Sequence, residues 1–173
     1  MANHASVTLL PDAGPLITLA YADALDLLSK SGWSVALVDM VLHEVTRNET
    51  PTSARIAAWA RDSRIPVLET TIYQRYMQPA TGSTVRKANL GELAIQEAMS
   101  GFGLAADQTG VFLFEDHKIA RTSFLLPENC RKVSTRAFLL FMEEQGLIDS
   151  SAEIERRAIL AGRQFSQIRF PPE

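Results

Sequence analysis

An α/β fold, a doubly wound α/β/α sandwich around a central parallel sheet of about five strands, is predicted by three features of the sequence. Short apolar runs alternate with stretches of helical periodicity along the chain. The runs are continuously apolar, as strands buried on both faces are. The hand-overs from run to helix carry cap, turn or Pro residues. Right-handed crossovers between successive parallel strands then place helices on both faces of the sheet.

Ser6 to Pro11 reads as the first strand, and Asp12-Ala13-Gly14-Pro15 carries the turn, cap and Pro signals of a helix start. Leu16, Leu19, Ala20, Ala24, Leu27 and Leu28 recur at helical spacing up to Gly32, and Ser34 to Val38 is a second buried strand, completing a βαβ unit. The next helix starts at Met40 and carries Val41, Glu44 and Val45. Asn48 to Pro51 then breaks the chain before the amphipathic stretch Ser53 to Arg61. Pro66 to Thr70 supplies strand three, and residues 73–88, with Pro79, Gly82 and Ser83, read as a loop. Asn89-Leu90-Gly91-Glu92 opens a helix through Met99, Gly110 to Glu115 is a strand, and Asp116 to Phe124 a helix. A short strand around Arg131 to Ser134 leads to a helix from Arg136 to Gln145, closed by Gly146, and Asp149 to Gly162 is a final amphipathic helix.

The 173 residues suffice for one domain with a substantial core, so residues 1–173 are read as a single unit with a loosely held tail at 164–173. Hydrophobic residues at 46% and charged ones at 21% exclude a disordered chain. No apolar run approaches the roughly 18 residues that span a bilayer, and Met1 to Ser6 lacks the pattern of a signal peptide. A cytoplasmic protein with no membrane partner is expected. Cys130 is the single cysteine, which excludes an intrachain disulfide and a thiolate zinc cage within one chain. The net charge of −3 gives no general attraction to a polyanion. If several carboxylates were neutralised by metal in one pocket, however, the remaining surface would be close to balanced or basic.

Ligands of an open parallel sheet bind outside the carboxyl ends of its strands. Asp12 follows strand one immediately and Asp116 follows the strand that ends at Glu115, so both fall on that edge. Glu44, in the helix after strand two, and Glu92, in the first turn of its helix, can reach the same edge. Four carboxylates together would raise one another's pKa and destabilise the fold unless a cation sat among them. Oxygen donors without a thiolate or a histidine pair favour Mg²⁺ or Mn²⁺ over zinc, and such ions suit phosphodiester hydrolysis.

Asp12-Ala13-Gly14-Pro15-Leu16-Ile17 after a strand resembles the opening motif of PIN domains. In order, Glu44 within Val41-Leu42-His43-Glu44-Val45 resembles the family's second acid, Glu92 within Leu90-Gly91-Glu92-Leu93-Ala94 its third, and Asp116 within Phe114-Glu115-Asp116 its fourth. Arg131 to Ile148, with Val133-Ser134-Thr135 and Gly146-Leu147-Ile148, looks like the closing strand and helix of the subgroup whose first motif reads Asp-Ala-Gly-Pro-Leu-Ile. The resemblance implies a PIN-like fold and a Mg²⁺- or Mn²⁺-dependent endoribonuclease, with Asp12, Glu44, Glu92 and Asp116 as metal ligands and catalytic acids. It further implies the toxin of a toxin–antitoxin pair of the VapC type, with RNA as substrate, a small antitoxin protein as partner, and a homodimer. Two positions depart from the family pattern: Glu92 stands where many members carry Asp, and Phe114 where Thr or Ser often precedes the fourth acid. They motivate a second reading, a noncatalytic PIN-like domain that binds RNA or a protein partner.

Each residue also has a plainer reading. Asp12 can cap the first helix, Glu44 can be a solvated helix residue, and Glu92 is favoured by the helix dipole wherever it points. Glu115 competes with Asp116, but on the strand its side chain points to the opposite face. His43 and His117 each abut a proposed ligand and are given no role. Lys118 and Arg121, like Arg55, Arg61 and Arg64, either meet RNA phosphates or form solvated helix faces. Trp33, Trp59 and the phenylalanines read as packing. A receiver-type phospho-acceptor domain would need an Asp ending strand three, where Leu68-Glu69-Thr70-Thr71 has none, and an Asp-x-Asp phosphatase is disfavoured by Gly14.

Overall fold

The computed structural model describes residues 6–78, 89–102, 105, 107–115 and 126–164. Along them run β1 (Ser6–Pro11), α1 (Ala13–Tyr21), α2 (Leu27–Lys30), β2 (Ser34–Val35), β3 (Leu37–Val38), α3 (Asp39–Thr46), α4 (Ser53–Asp62), β4 (Val67–Leu68), α5 (Thr71–Met77), α6 (Leu90–Phe102), β5 (Gln108–Phe114), β6 (Cys130–Ser134), α7 (Thr135–Glu144) and α8 (Ser151–Leu160). The helix expected over Asp116 to Phe124 and most of the tail at 164–173 lie outside the described residues.

The sheet is parallel and flanked by helices, in the order β2-β1-β5-β6, with β3 and β4 forming a separate parallel pair. Only Ala36 separates β2 from β3. Its N–H donates to the Leu9 carbonyl at 3.1 Å, whereas the next N–H, of Leu37, donates to Pro66 at 2.9 Å. The strand expected over Ser34 to Val38 therefore changes partner at its midpoint, from β1 to β4. The central parallel sheet therefore has four strands, where about five were expected, and the segment read as strand two continues into the separate β3-β4 pair.

The central strand β1 carries Leu9 and Leu10, both fully buried, so successive side chains on opposite faces both meet helices. On β5, Phe112 and Phe114 share a face with ring centroids 5.1 Å apart. Trp59 is buried, and Trp33 stacks on Phe141 at 5.3 Å, as packing residues do. Cys130 is buried in β6, and burial pushes its thiol pKa up, which makes it a packing residue. No helix among the described residues is long and apolar enough to cross a membrane.

Two elements differ from expectation. The single helix expected up to Gly32 is two, because α1 ends at Tyr21 and Asp23 adopts a left-handed φ of 53°. The Ala24 N–H reaches back to Leu19 and that of Asp23 to Ala20, a Schellman closure with Asp at the position glycine usually holds. The second difference is α5, which occupies the start of the segment read as a loop; residues 79–88 lie outside the described ones. Thr70 caps α5 by accepting the Tyr73 N–H, and Glu97 of α6 accepts the Thr71 N–H at 2.7 Å and the Thr71 hydroxyl as well.

This pin predicts acid sensitivity. Burial by itself would raise the Glu97 carboxyl, but the Thr71 hydroxyl, the Thr71 and Ile72 N–H groups and Arg75 outweigh it and hold the pKa below its ordinary 4.5. A carboxyl whose pKa is depressed on folding contributes stability above its unfolded value and loses it as pH falls through the folded one. Amide protection factors in α5 are expected to fall relative to the rest of the domain as pH drops below about 4.5. Glu97→Gln should flatten that dependence, and a profile identical in the variant and the parent would show that the pin is not the cause.

Candidate functional site

Asp12 stands where β1 becomes α1. Its N–H donates to the Leu113 carbonyl of β5 at 2.8 Å, locking the residue to the carboxyl edge of the sheet. It occupies the N-cap position with extended backbone, yet its side chain makes no capping bond to α1, so capping does not account for this 2%-exposed acid.

Two residues on, Gly14 lies directly beneath Glu115. A Cβ built at Gly14 would come within 2.4 Å of the Glu115 Cγ, far inside van der Waals contact. The Glu115 carboxylate continues over α1, where Oε1 accepts the Thr18 hydroxyl at 2.6 Å. Arg163, just past α8, donates from Nε to the same Thr18 oxygen at 3.0 Å and brings its guanidinium to 3.7 Å from Glu115. Glu115 is thus engaged in a buried network joining β5, α1 and the end of α8. Asp116, the expected fourth acid, lies outside the described residues.

The helices that carry Glu44 and Glu92 meet. Glu44 projects from α3, and its Oε1 accepts the Gly91 N–H, one of the unpaired amides of the first turn of α6, at 3.2 Å. A Cβ at Gly91 would stand 2.7 Å from Glu44 Oε2, so any other residue there would shift the end of this side chain. Glu92, half-buried, is the next residue of the same turn. At both glycines a glutamate lies against the backbone: the stem of Glu115 at Gly14 and the carboxylate of Glu44 at Gly91.

An acid that sequence reasoning missed is Asp39. It opens α3 at the end of β3, is 8% exposed, and accepts three hydrogen bonds: Met40 N–H at 2.7 Å, Thr70 hydroxyl at 2.7 Å and Thr70 N–H at 2.8 Å. The signal was the one that picked out Asp12, an acid immediately after a strand, but starting the helix at Met40 left Asp39 out. Its bonds make it a brace between α3 and the β4–α5 turn. Arg55, weighed for RNA, donates to the Ala20 carbonyl at 3.0 Å and ties α4 to the end of α1, and Arg61 pairs with its neighbour Asp62.

Asp12, Glu44 and Glu92 offer only oxygen donors, the kind a hard divalent ion takes. Among the described residues, no three acids, histidines or cysteines form a group able to hold a metal ion. The donor type fits Mg²⁺ or Mn²⁺; a closed ligand set is not formed by the described acids alone.

No family model matches the chain, and no curated protein does. Among solved structures, the chain is similar to the PIN domain of RRP44 from T. brucei, with a TM-score of 0.49 and 13% identity over 82% of each chain.

Proposed function

We propose that this chain is a divalent-metal-dependent endoribonuclease of the PIN type, with Asp12, Glu44, Glu92 and Asp116 holding the metal. The observation that carries the proposal is the convergence of the second and third motifs: Glu44 binds the amide of Gly91, beside Glu92. The place of Asp12, buried at the carboxyl edge of the sheet, supports the same reading. When bound, Mg²⁺ or Mn²⁺ would polarise a phosphate oxygen and lower the pKa of a water. The protein's part is to hold the carboxylates: β5 anchors Asp12 through its backbone, and the first turn of α6 orients Glu44. In this reading the substrate is RNA, the partner a small antitoxin, and the protein a cytoplasmic homodimer.

A second reading, a noncatalytic PIN-like domain that binds RNA or a protein, is favoured by the departures at Glu92 and Phe114 from the family pattern. Incubating a labelled structured RNA with purified protein separates the two. Cleavage is expected with Mg²⁺ or Mn²⁺, is expected to stop with EDTA, and is expected to be lost in Asp12→Asn. Cleavage that survives in Asp12→Asn would reject this site. Absence of both cleavage and calorimetric metal binding would favour the noncatalytic reading.

A further inference from the structure

Beside Glu44 lies a cluster of rings that the proposed metal site does not use. His43 of α3 meets Tyr73 and Tyr76 of α5 at centroid distances of 5.6 and 5.3 Å, and the two tyrosines lie near-parallel, 24° apart, at 6.5 Å. All three are only partly buried. The short helix that presents the tyrosines has no fully buried residue, and Met77 at its end is 56% exposed. Tyr73 and Tyr76 pack against the edge of the core and, like His43, keep part of their area in water.

We infer that His43, Tyr73 and Tyr76 form a stacking platform for unpaired bases of a single-stranded RNA. The inference rests on the nuclease reading, because it places the RNA beside Glu44. Three observations favour RNA as the occupant. His43 neighbours Glu44 on α3, so the platform is built on the helix that carries the proposed second acid. Arg47, four residues beyond His43 and therefore on the same side of α3, is exposed, as is Arg75 between the tyrosines. Both are exposed cations on the two helices that carry the rings, where phosphates of a strand could meet them; Arg75 also bears on Glu97. Bases stack on aromatic rings whatever their identity, and a base locked in a duplex cannot, so the platform selects unpaired strands.

Fluorescence anisotropy with a labelled oligouridylate, in EDTA so that nothing is cut, tests the platform. Tyr73→Leu and Tyr76→Leu keep apolar bulk for packing; each is expected to weaken binding by about fivefold or more, the effect of losing one stacked base. Tyr→Phe at either position should restore it, and affinity for duplex RNA should not change. Equal loss for duplex and single strand, failure of Phe to rescue, or unchanged affinity in folded Leu variants would overturn the platform, as would the wild type failing to bind the oligouridylate. The two proposals fail separately. Metal-dependent, Asp12-dependent cleavage with normal binding by the Leu variants removes the platform and leaves the nuclease. Ring-dependent binding without any cleavage keeps the platform and removes the nuclease.

Discussion

Gly14→Ala is expected to destabilise the domain by about 2–3 kcal/mol, although alanine is the better helix former. Propensity inside α1 favours alanine by at most about 1 kcal/mol. Against it, the new Cβ would stand 2.4 Å from Glu115 Cγ. That atom is the stem of a buried side chain whose head is bonded to Thr18, so it cannot swing aside freely. Overpacking of this kind costs about 1–3 kcal/mol, and displacing the carboxylate from Thr18 and Arg163 forfeits a charge-assisted bond of about 1.5–3 kcal/mol. The clash therefore outweighs the propensity. Urea denaturation should show a lower midpoint with an unchanged slope. Removing the obstacle first should remove most of the cost, so Gly14→Ala made in a Glu115→Ala background is expected to lose much less than in the parent, with a coupling of about 1 kcal/mol or more. Additive effects would show that the close approach is not what requires glycine.

This close approach also shows which part of the site could be read in the sequence. The residues Asp12, Ala13 and Gly14 were visible as a motif after a strand, and so was Gly91 before Glu92. What each glycine answers to, Glu115 in one case and Glu44 in the other, lies 101 and 47 residues away along the chain. No local pattern carries that information, because it depends on how β5 and α6 pack against their neighbours. Helix ends divide the same way. Gly146 announces the end of α7 and has the left-handed φ expected of it, 71°. Asp23 and Arg64 adopt the same conformation at the ends of α1 and α4, with φ of 53° and 52°. They have none of glycine's steric freedom to signal it, which is why α1 was read through to Gly32. The short helix α5 was hidden for a different reason: its apolar side chains, Ile72, Tyr73 and Tyr76, are only partly buried, too little pattern to read, and Thr70, Asp39 and Glu97 hold its start. By contrast, β1, β5 and β6 were legible, because continuous apolar runs are local features. Asp116 lies outside the described residues, and its place in the site remains part of the proposal.

Substituting Asp39 is the other change with a large expected effect, and the asparagine variant is the sharper test. Both carboxylate oxygens are in use: Oδ1 accepts Met40 N–H and the Thr70 hydroxyl, and Oδ2 accepts Thr70 N–H. Asn preserves shape but has one oxygen and one NH₂ group. Whichever way the amide turns, the NH₂ faces a backbone N–H, of Met40 or of Thr70, and that buried donor loses its acceptor at a cost of about 1–3 kcal/mol. Asp39→Ala loses all three bonds and the negative charge at the start of α3, for about 3–4 kcal/mol in all. Both variants should lower the urea midpoint, with Asn closer to Ala than to the parent. Because Thr70 also caps α5, the loss should be concentrated there, with amide protection in α5 falling before that of β1 and β5. The exposed Glu97 pin holds the same helix, but water competes for its bonds, so removing it should cost α5 less than removing the buried brace. If Asp39→Asn matched the parent in both midpoint and α5 protection, the acid would not be bracing the turn, and the position of α5 would have to rest on its contacts with α6 and on the rings of Tyr73 and Tyr76 against His43.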